Sequence, residues 1–334
     1  MSEPGPTAQE GSPNGSPWIR RVGSPLTDEM LAPFDHLSPT IVQFSCPLTD
    51  ADYAGLGEFL RDYPRVTLRA YGGPFADLEF LRFFPTVRSF TADCLWASLR
   101  SLDGLRHLPE DTRSLSLGKT KARLSLAPLA RFSNLRNLFL EGHTKDLDVI
   151  SQLKELRALT LRSVSLPDLT ALAELPHLRA LALKLGGARD LAGAADLAQL
   201  MYLELWMVRG LADLSAVAAM PRLRYLFLQA LANVTQLPDL GQTPSIRGVH
   251  LETLKALSDL APLANSPRLE QLEVWDMRQL QAEHFRCFVG HPALREASIS
   301  TGSSRKNEAI TRLLGLPALS AHVKAQWWRA AQDD

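Results

Sequence analysis

The sequence is poor in cysteine. Cys46, Cys94 and Cys287 are the only three in 334 residues and sit at unrelated positions. They cannot build a disulfide framework, so they read as small apolar fillers in a reducing, cytoplasmic setting. No apolar run reaches the roughly 18 residues a membrane span requires. The opening Met1-Ser2-Glu3-Pro4-Gly5-Pro6 has neither a basic nor an apolar stretch, so no secretory signal is read there. Net charge is missing too: 36 Lys+Arg stand against 36 Asp+Glu. That balance excludes a protein that works mainly by coating nucleic acid or an anionic membrane. With 46% hydrophobic residues it also excludes a disordered chain. Motifs of chemistry are absent as well. There is no His-Glu-x-x-His, P-loop, Gly-x-Gly-x-x-Gly, Gly-x-Ser-x-Gly or Cys-x-x-Cys.

What the chain has is leucine: 61 residues, about 18% of the total, far above ordinary usage. Most of it falls in one pattern, apolar–x–x–apolar–x–apolar. Clear copies are Leu135/Leu138/Leu140, Leu156/Leu159/Leu161, Leu178/Leu181/Leu183, Leu200/Leu203/Leu205 and Leu223/Leu226/Leu228. Ile246/Val249/Leu251, Leu269/Leu272/Val274 and the weaker Leu294/Ala297/Ile299 follow, in steps of 21 to 25 residues. Degenerate copies run back through Thr112/Leu115/Leu117, Val87/Phe90/Ala92 and Tyr63/Val66/Leu68. About eleven or twelve units result, at the period of a leucine-rich repeat.

A second half-motif follows the strands, as in Leu166-Pro167-Asp168-Leu169, Leu211-Ala212-Asp213-Leu214 and Leu257-Ser258-Asp259-Leu260. Here the chain resembles bacterial leucine-rich-repeat proteins of the internalin type, over roughly residues 39–300. The resemblance implies a fold and says little of function. One departure stands out. The Asn that usually follows the strand is replaced by His143, Val164, Gly186, Val208, Leu231, Leu254 and Met277. Without that side chain to satisfy buried backbone groups, a looser, water-bridged bend is expected.

The fold expected is α/β: a right-handed leucine-rich-repeat solenoid with a parallel concave sheet, capped at both ends. Alternation along each strand points the Leu pair inward and the residues between them outward. The Asp-Leu segments suit 3₁₀ or short helices on the convex side. Residues 1–17, rich in Pro, Gly and Ser, read as a disordered tail, 18–62 as an N-terminal cap, 63–302 as repeats and 303–334 as a C-terminal cap. Thr49-Asp50-Ala51-Asp52 before Tyr53, Leu56, Phe59 and Leu60 is an N-cap followed by helical spacing, and Phe75 to Phe83 looks similar. Trp327 and Trp328 are expected to cover the last Leu layer, with Val323 in an atypical edge strand.

Two clusters invite a chemical reading. On a helix His284, Cys287 and His291 would share a face that zinc accepts, but a fourth ligand is missing and Phe285 and Phe288 need burial. Ordinary packing is preferred, with no metal, cofactor or catalysis. An Arg recurs in the second slot of the repeat (Arg88, Arg113, Arg136, Arg157, Arg179, Arg224, Arg247, Arg295), which invites reading a basic ladder for phosphate. There its stem lies on apolar surface and its head stays wet, so no nucleic-acid or membrane partner is inferred.

The outward slots of four late strands are Tyr202, Glu204, Trp206; Tyr225, Phe227, Gln229; Gly248, His250, Glu252; and Gln271, Glu273, Trp275. They hold five aromatics, three acids and no Lys or Arg. Aromatics anchor protein interfaces, and acids favour a basic partner. Tyr202, Glu204, Trp206, Tyr225, Phe227, Gln229, His250, Glu252, Glu273 and Trp275 are therefore the candidate partner-binding residues of a monomeric protein-interaction module. An inhibitor- or immunity-like role is one concrete form, and a secreted effector acting on host proteins is the alternative. The competing structural reading is that these aromatics support cross-strand neighbours or lie under a loop or the tail.

Overall fold

The computed structural model describes residues 18–34, 40–243, 245–319 and 323–333. The expected disordered tail, 1–17, lies outside the described residues. The chain divides into two compact units. The first is Met1–Leu135 with Lys145–Val149, and the second is Arg136–Thr144 with Ile150–Asp334.

In the first unit the strands are β1 (Trp18–Arg21), β2 (Thr40–Phe44), β3 (Thr67–Tyr71), β4 (Ser89–Asp93) and β5 (Ser114–Leu117). They pair parallel in chain order. Val42, Phe44, Leu68, Ala70, Phe90 and Leu115 point inward and are buried. Helix α1 (Asp50–Leu60) begins as its sequence predicts, with Thr49 Oγ1 accepting from the Asp52 N–H at 3.2 Å. The Phe75–Phe83 stretch instead forms a 3₁₀ turn at Glu79–Phe83. Pro85 disfavours the helical region for Phe84 and stops the helix there.

The second unit contains β6 (Asn137–Glu141), β7 (Ala158–Arg162), β8 (Ala180–Lys184), β9 (Tyr202–Trp206), β10 (Tyr225–Gln229), β11 (Gly248–Glu252), β12 (Gln271–Trp275) and β13 (Glu296–Ser300). These also pair parallel in chain order. The Asp of the half-motif has a local task. Asp168, Asp190, Asp213 and Asp259 each accept from the backbone N–H two residues on, at 2.8–2.9 Å. These bonds start the short turns that return the chain. The turns are 3₁₀ at Thr170–Leu172, Ala194–Asp196 and Ser215–Ala219, and a single α-turn, α2, at Ala261–Ala264.

The expectation of a loose bend at the missing Asn is corrected. The residue before that slot takes a left-handed conformation: Ser163, Leu185, Met207, Ala230, Thr253 and Asp276 have φ of 48–56°. For five of them the N–H then donates straight to the next strand, as in Leu185 to Trp206 O (2.8 Å) and Ala230 to Glu252 O (2.9 Å). With the backbone closing the bend, the slot is free for apolar filling. Val164, Val208, Leu231, Leu254 and Met277 are all buried there. A Cβ on Gly186 would sit 2.0 Å from Val164 O, so that slot tolerates only glycine without rearrangement.

The last Leu layer is closed by α3 (Ser304–Leu314), whose Ile310 is fully buried. Asn307 Oδ1 accepts from the Thr301 N–H at 2.8 Å and fixes the start of the helix. Trp327 and Trp328 therefore do not cover that layer. Val323 is not in a strand either: it opens α4 (Val323–Asp333). After Gly315, left-handed at φ 65°, the chain runs along the edge of β13. There the Ala297 N–H donates to Pro317 O at 2.9 Å and the Leu319 N–H to Ser298 Oγ at 2.9 Å. This path leads α4 away from the end of the unit and onto the outward face of the sheet.

Candidate functional site

Parallel register arranges the outward residues of the second unit in three rows. The first is Ala180, Tyr202, Tyr225, Gly248 and Gln271, and the second is Ala182, Glu204, Phe227, His250 and Glu273. The third is Lys184, Trp206, Gln229, Glu252 and Trp275. A residue's row decides its surroundings, because α4 lies over the first two rows and leaves the third open.

Within α4, Val323, Trp327 and Ala331 are four apart, so they share one face, and all three are buried. Trp327 stacks on Tyr225 with centroids 5.2 Å apart and planes 13° from parallel. Its Nε1 donates to Gln271 Oε1 at 2.8 Å. A Cβ at position 248 would come 2.6 Å from the Trp327 ring, so Gly248 makes the gap that admits the indole. Trp328 meets Tyr202 edge-on at 5.2 Å. Ala158 and Ala180 complete the buried cluster beneath the helix. Their small side chains give the helix room to approach.

Polar contacts fix α4 in register. Lys324 Nζ bonds Glu204 Oε1 and lies 3.9 Å from the centroid of the Phe227 ring. Glu204 is only 1% exposed. Its other oxygen receives the Tyr202 hydroxyl at 3.1 Å and Lys184 Nζ at 3.1 Å. Burial raises the Tyr202 phenol well above its ordinary range, and the Glu204 charge adds to that. Burial also lowers Lys184, against the pull of Glu204. Beside this network His250 stacks on Phe227 at 4.1 Å. Its Nδ1 is 2.6 Å from Glu273 Oε2 and its Nε2 3.2 Å from Glu252 Oε2. Burial pushes the Glu273 carboxyl up, but the His250 hydrogen bond and charge outweigh it and hold the group below its usual value.

The expectation of a freely outward patch is thus corrected for four residues. Tyr202, Glu204, Phe227 and His250 are buried, and Tyr225 and Glu273 are partly covered. The physical reason is the aromatic, amphipathic C-terminal helix, which finds its apolar complement on the sheet. Trp206, Gln229, Glu252 and Trp275 keep access to solvent; Trp275 is 44% exposed, and Met207, which follows Trp206, is 45% exposed. Cations absent from the twelve slots come from neighbouring elements, namely Lys184, Lys324 and Arg162. Arg162 lies 5.9 Å from the Trp206 ring and pairs with Glu141 at 3.3 Å. The four-residue spacing of Val323, Trp327 and Ala331 was the sequence signal for this cover.

The His284/Cys287/His291 trio does not converge. Its segment is a 3₁₀ helix, Ala282–Phe288, so α-helical spacing does not apply. His284 Nδ1 accepts from the Gln281 N–H at 3.0 Å, and His291 Nε2 lies 3.1 Å from Ser266 O. Among the described residues no three His, Cys, Asp or Glu side chains come together as a metal site. No described helix is long and apolar enough to cross a membrane.

No protein-family model matches the sequence, and no curated protein matches it. Solved structures do. An internalin, inlF, from Listeria monocytogenes is 17% identical with a TM-score of 0.47, over 92% of this chain and 86% of that one. A leucine-rich-repeat protein from Leptospira interrogans is 15% identical with a TM-score of 0.42, over 84% and 89%. In the mouse RP105/MD-1 complex a chain 14% identical reaches 0.53, over 78% of this chain and 51% of that one. The buried Leu ladder, the parallel strands and the short returning turns are those of the leucine-rich-repeat solenoid, and that is the fold of this chain.

Proposed function

We propose that the chain is a non-catalytic protein-interaction module whose partner docks on the concave face of the second unit. The observation that carries this is the open third row, where Trp206 and Trp275 flank Gln229 and Glu252 and stay accessible beside a closed aromatic core. Exposed aromatic side chains on a rigid sheet anchor partners at low entropic cost. Glu204 already holds two lysines, and Glu273 is engaged by His250. Glu252 is also engaged by His250, at 3.2 Å, so the preference for a basic partner is modest. An inhibitor-like role is the concrete form; Cys46, Cys94 and Cys287, expected as small apolar fillers, are instead exposed, because none of them occupies an inward slot of the ladder.

The test is affinity recovery of partners from the native host with wild-type protein and with Trp206→Ala/Trp275→Ala. Loss of the specific partner, with an unchanged circular-dichroism melt, is expected. Full recovery by the double variant would sink the assignment.

A further inference from the structure

The cover over the first two rows is a helix that the sheet recognises by chemistry as well as by shape. An eleven-residue helix is marginal on its own in water, so α4 owes its order to its seat. The seat, by contrast, does not depend on α4 for its polar balance. Tyr202 and Lys184 already satisfy Glu204. Glu252 and Glu273 already hold His250. What α4 adds is a cation on Glu204, an indole N–H on Gln271, and an indole in the gap above Gly248. A cover needed only for stability would be better made apolar, because a pair between the buried Glu204 and the part-exposed Lys324 contributes register more than stability. Lys324 and Trp327 are three residues apart, as a helix requires for both to reach one surface.

We propose that this seat is a helix-recognition site. It binds in trans a short amphipathic helix that presents a cation three residues before an indole, and α4 is the internal competitor that such a partner displaces. The proposal rests on reading this face as protein-binding and names the kind of partner segment. Linked on the same chain, α4 acts at a high effective concentration, so a free helix must exceed it in affinity or arrive with additional contacts. The third row, beside the seat, offers those contacts.

The probe is a fluorescent synthetic peptide of residues 317–334, titrated by anisotropy into the full chain. Wild type should bind it weakly. Full-length Lys324→Ala/Trp327→Ala, which loosens the internal helix, should bind it about tenfold or more tightly. Adding Gly248→Leu to that variant should abolish binding, because the new side chain fills the place of the indole. Equal binding to wild type and the loosened variant, or none to a folded loosened variant, overturns the proposal. If the loosened variant does not fold, hydrogen exchange on the wild type decides. Exchange of the α4 amides at least about tenfold faster than those of β9–β12 sustains it, whereas exchange of both together as one unit overturns it. The peptide needs neither Trp206 nor Trp275, so a negative result here leaves the third-row reading standing, and the reverse also holds.

Discussion

The outward slots of β3–β5 in the first unit carry Thr67, Arg69, Tyr71, Ser89, Thr91, Asp93, Ser114 and Ser116, with one aromatic and one acid, while those of β9–β12 in the second carry five aromatics and three acids. In the first unit the contacts are short and polar. Thr67 and Ser89 share a hydrogen bond at 2.9 Å, and Arg69 reaches Gln43 at 3.2 Å and also Asp93. In the second, Tyr202, Phe227, His250 and Glu204 lie buried with Trp327. Yet the inward slots are alike: Leu68, Leu115 and Leu117 in one, Leu203, Leu205 and Leu226 in the other, all nearly inaccessible. A repeat is thus constrained only on its inner side. The outer slots are free to differ, and in the second unit they have become specific for one helix.

The largest expected effect tests the shared half of this comparison. Leu117→Ala and Leu205→Ala should each cost about 2–5 kcal/mol in urea unfolding. A much smaller cost in one unit would show that the ladders are not equivalent. Next, Glu204→Gln leaves buried donors poorly matched and should cost about 1–3 kcal/mol. Asp93→Asn, where Arg69 and Asp93 keep partial access to water, should cost less than about 1 kcal/mol. Equal losses would remove the contrast between the two faces.

Acid sharpens it further. The folded state holds Glu273 below the ordinary glutamate value of 4.5, so its ionised form stabilises the fold above that pH. The contribution disappears as the pH falls through the depressed folded value. The stability gap between wild type and Glu273→Gln should therefore be present at pH 7 and shrink below about pH 4. A gap that grew on acidification would reverse the assigned interaction. The smallest effect belongs to Trp275→Ala. At 44% exposure it should move stability by no more than about 0.5 kcal/mol, while still weakening partner recovery.

Much of the fold was readable because leucine burial is periodic and each strand alternates inside and outside. Asp168, Asp213 and Asp259 were legible as turn residues, and Thr49 as a helix cap, because those roles depend on neighbours within a few residues. The bend after each strand was misjudged, since a left-handed backbone at Leu185 or Ala230 closes it with no side chain at all. The candidate face was half legible. Its aromatics were visible in the right slots, but the occupant of those slots lies 120 residues away in sequence, as the Glu204–Lys324 bond shows.

The sequence by itself determined the repeat, its inward ladder and the chemistry of each outward row, because these follow from spacing along a single strand. Only the tertiary structure decided which outward residues meet water. That depends on where α3 stops, how Gly315 turns the chain along β13, and the gap at Gly248 that lets Trp327 settle on Tyr225. Such long-range fit between a helix and a sheet is a property of the packed surfaces, and no local pattern carries it.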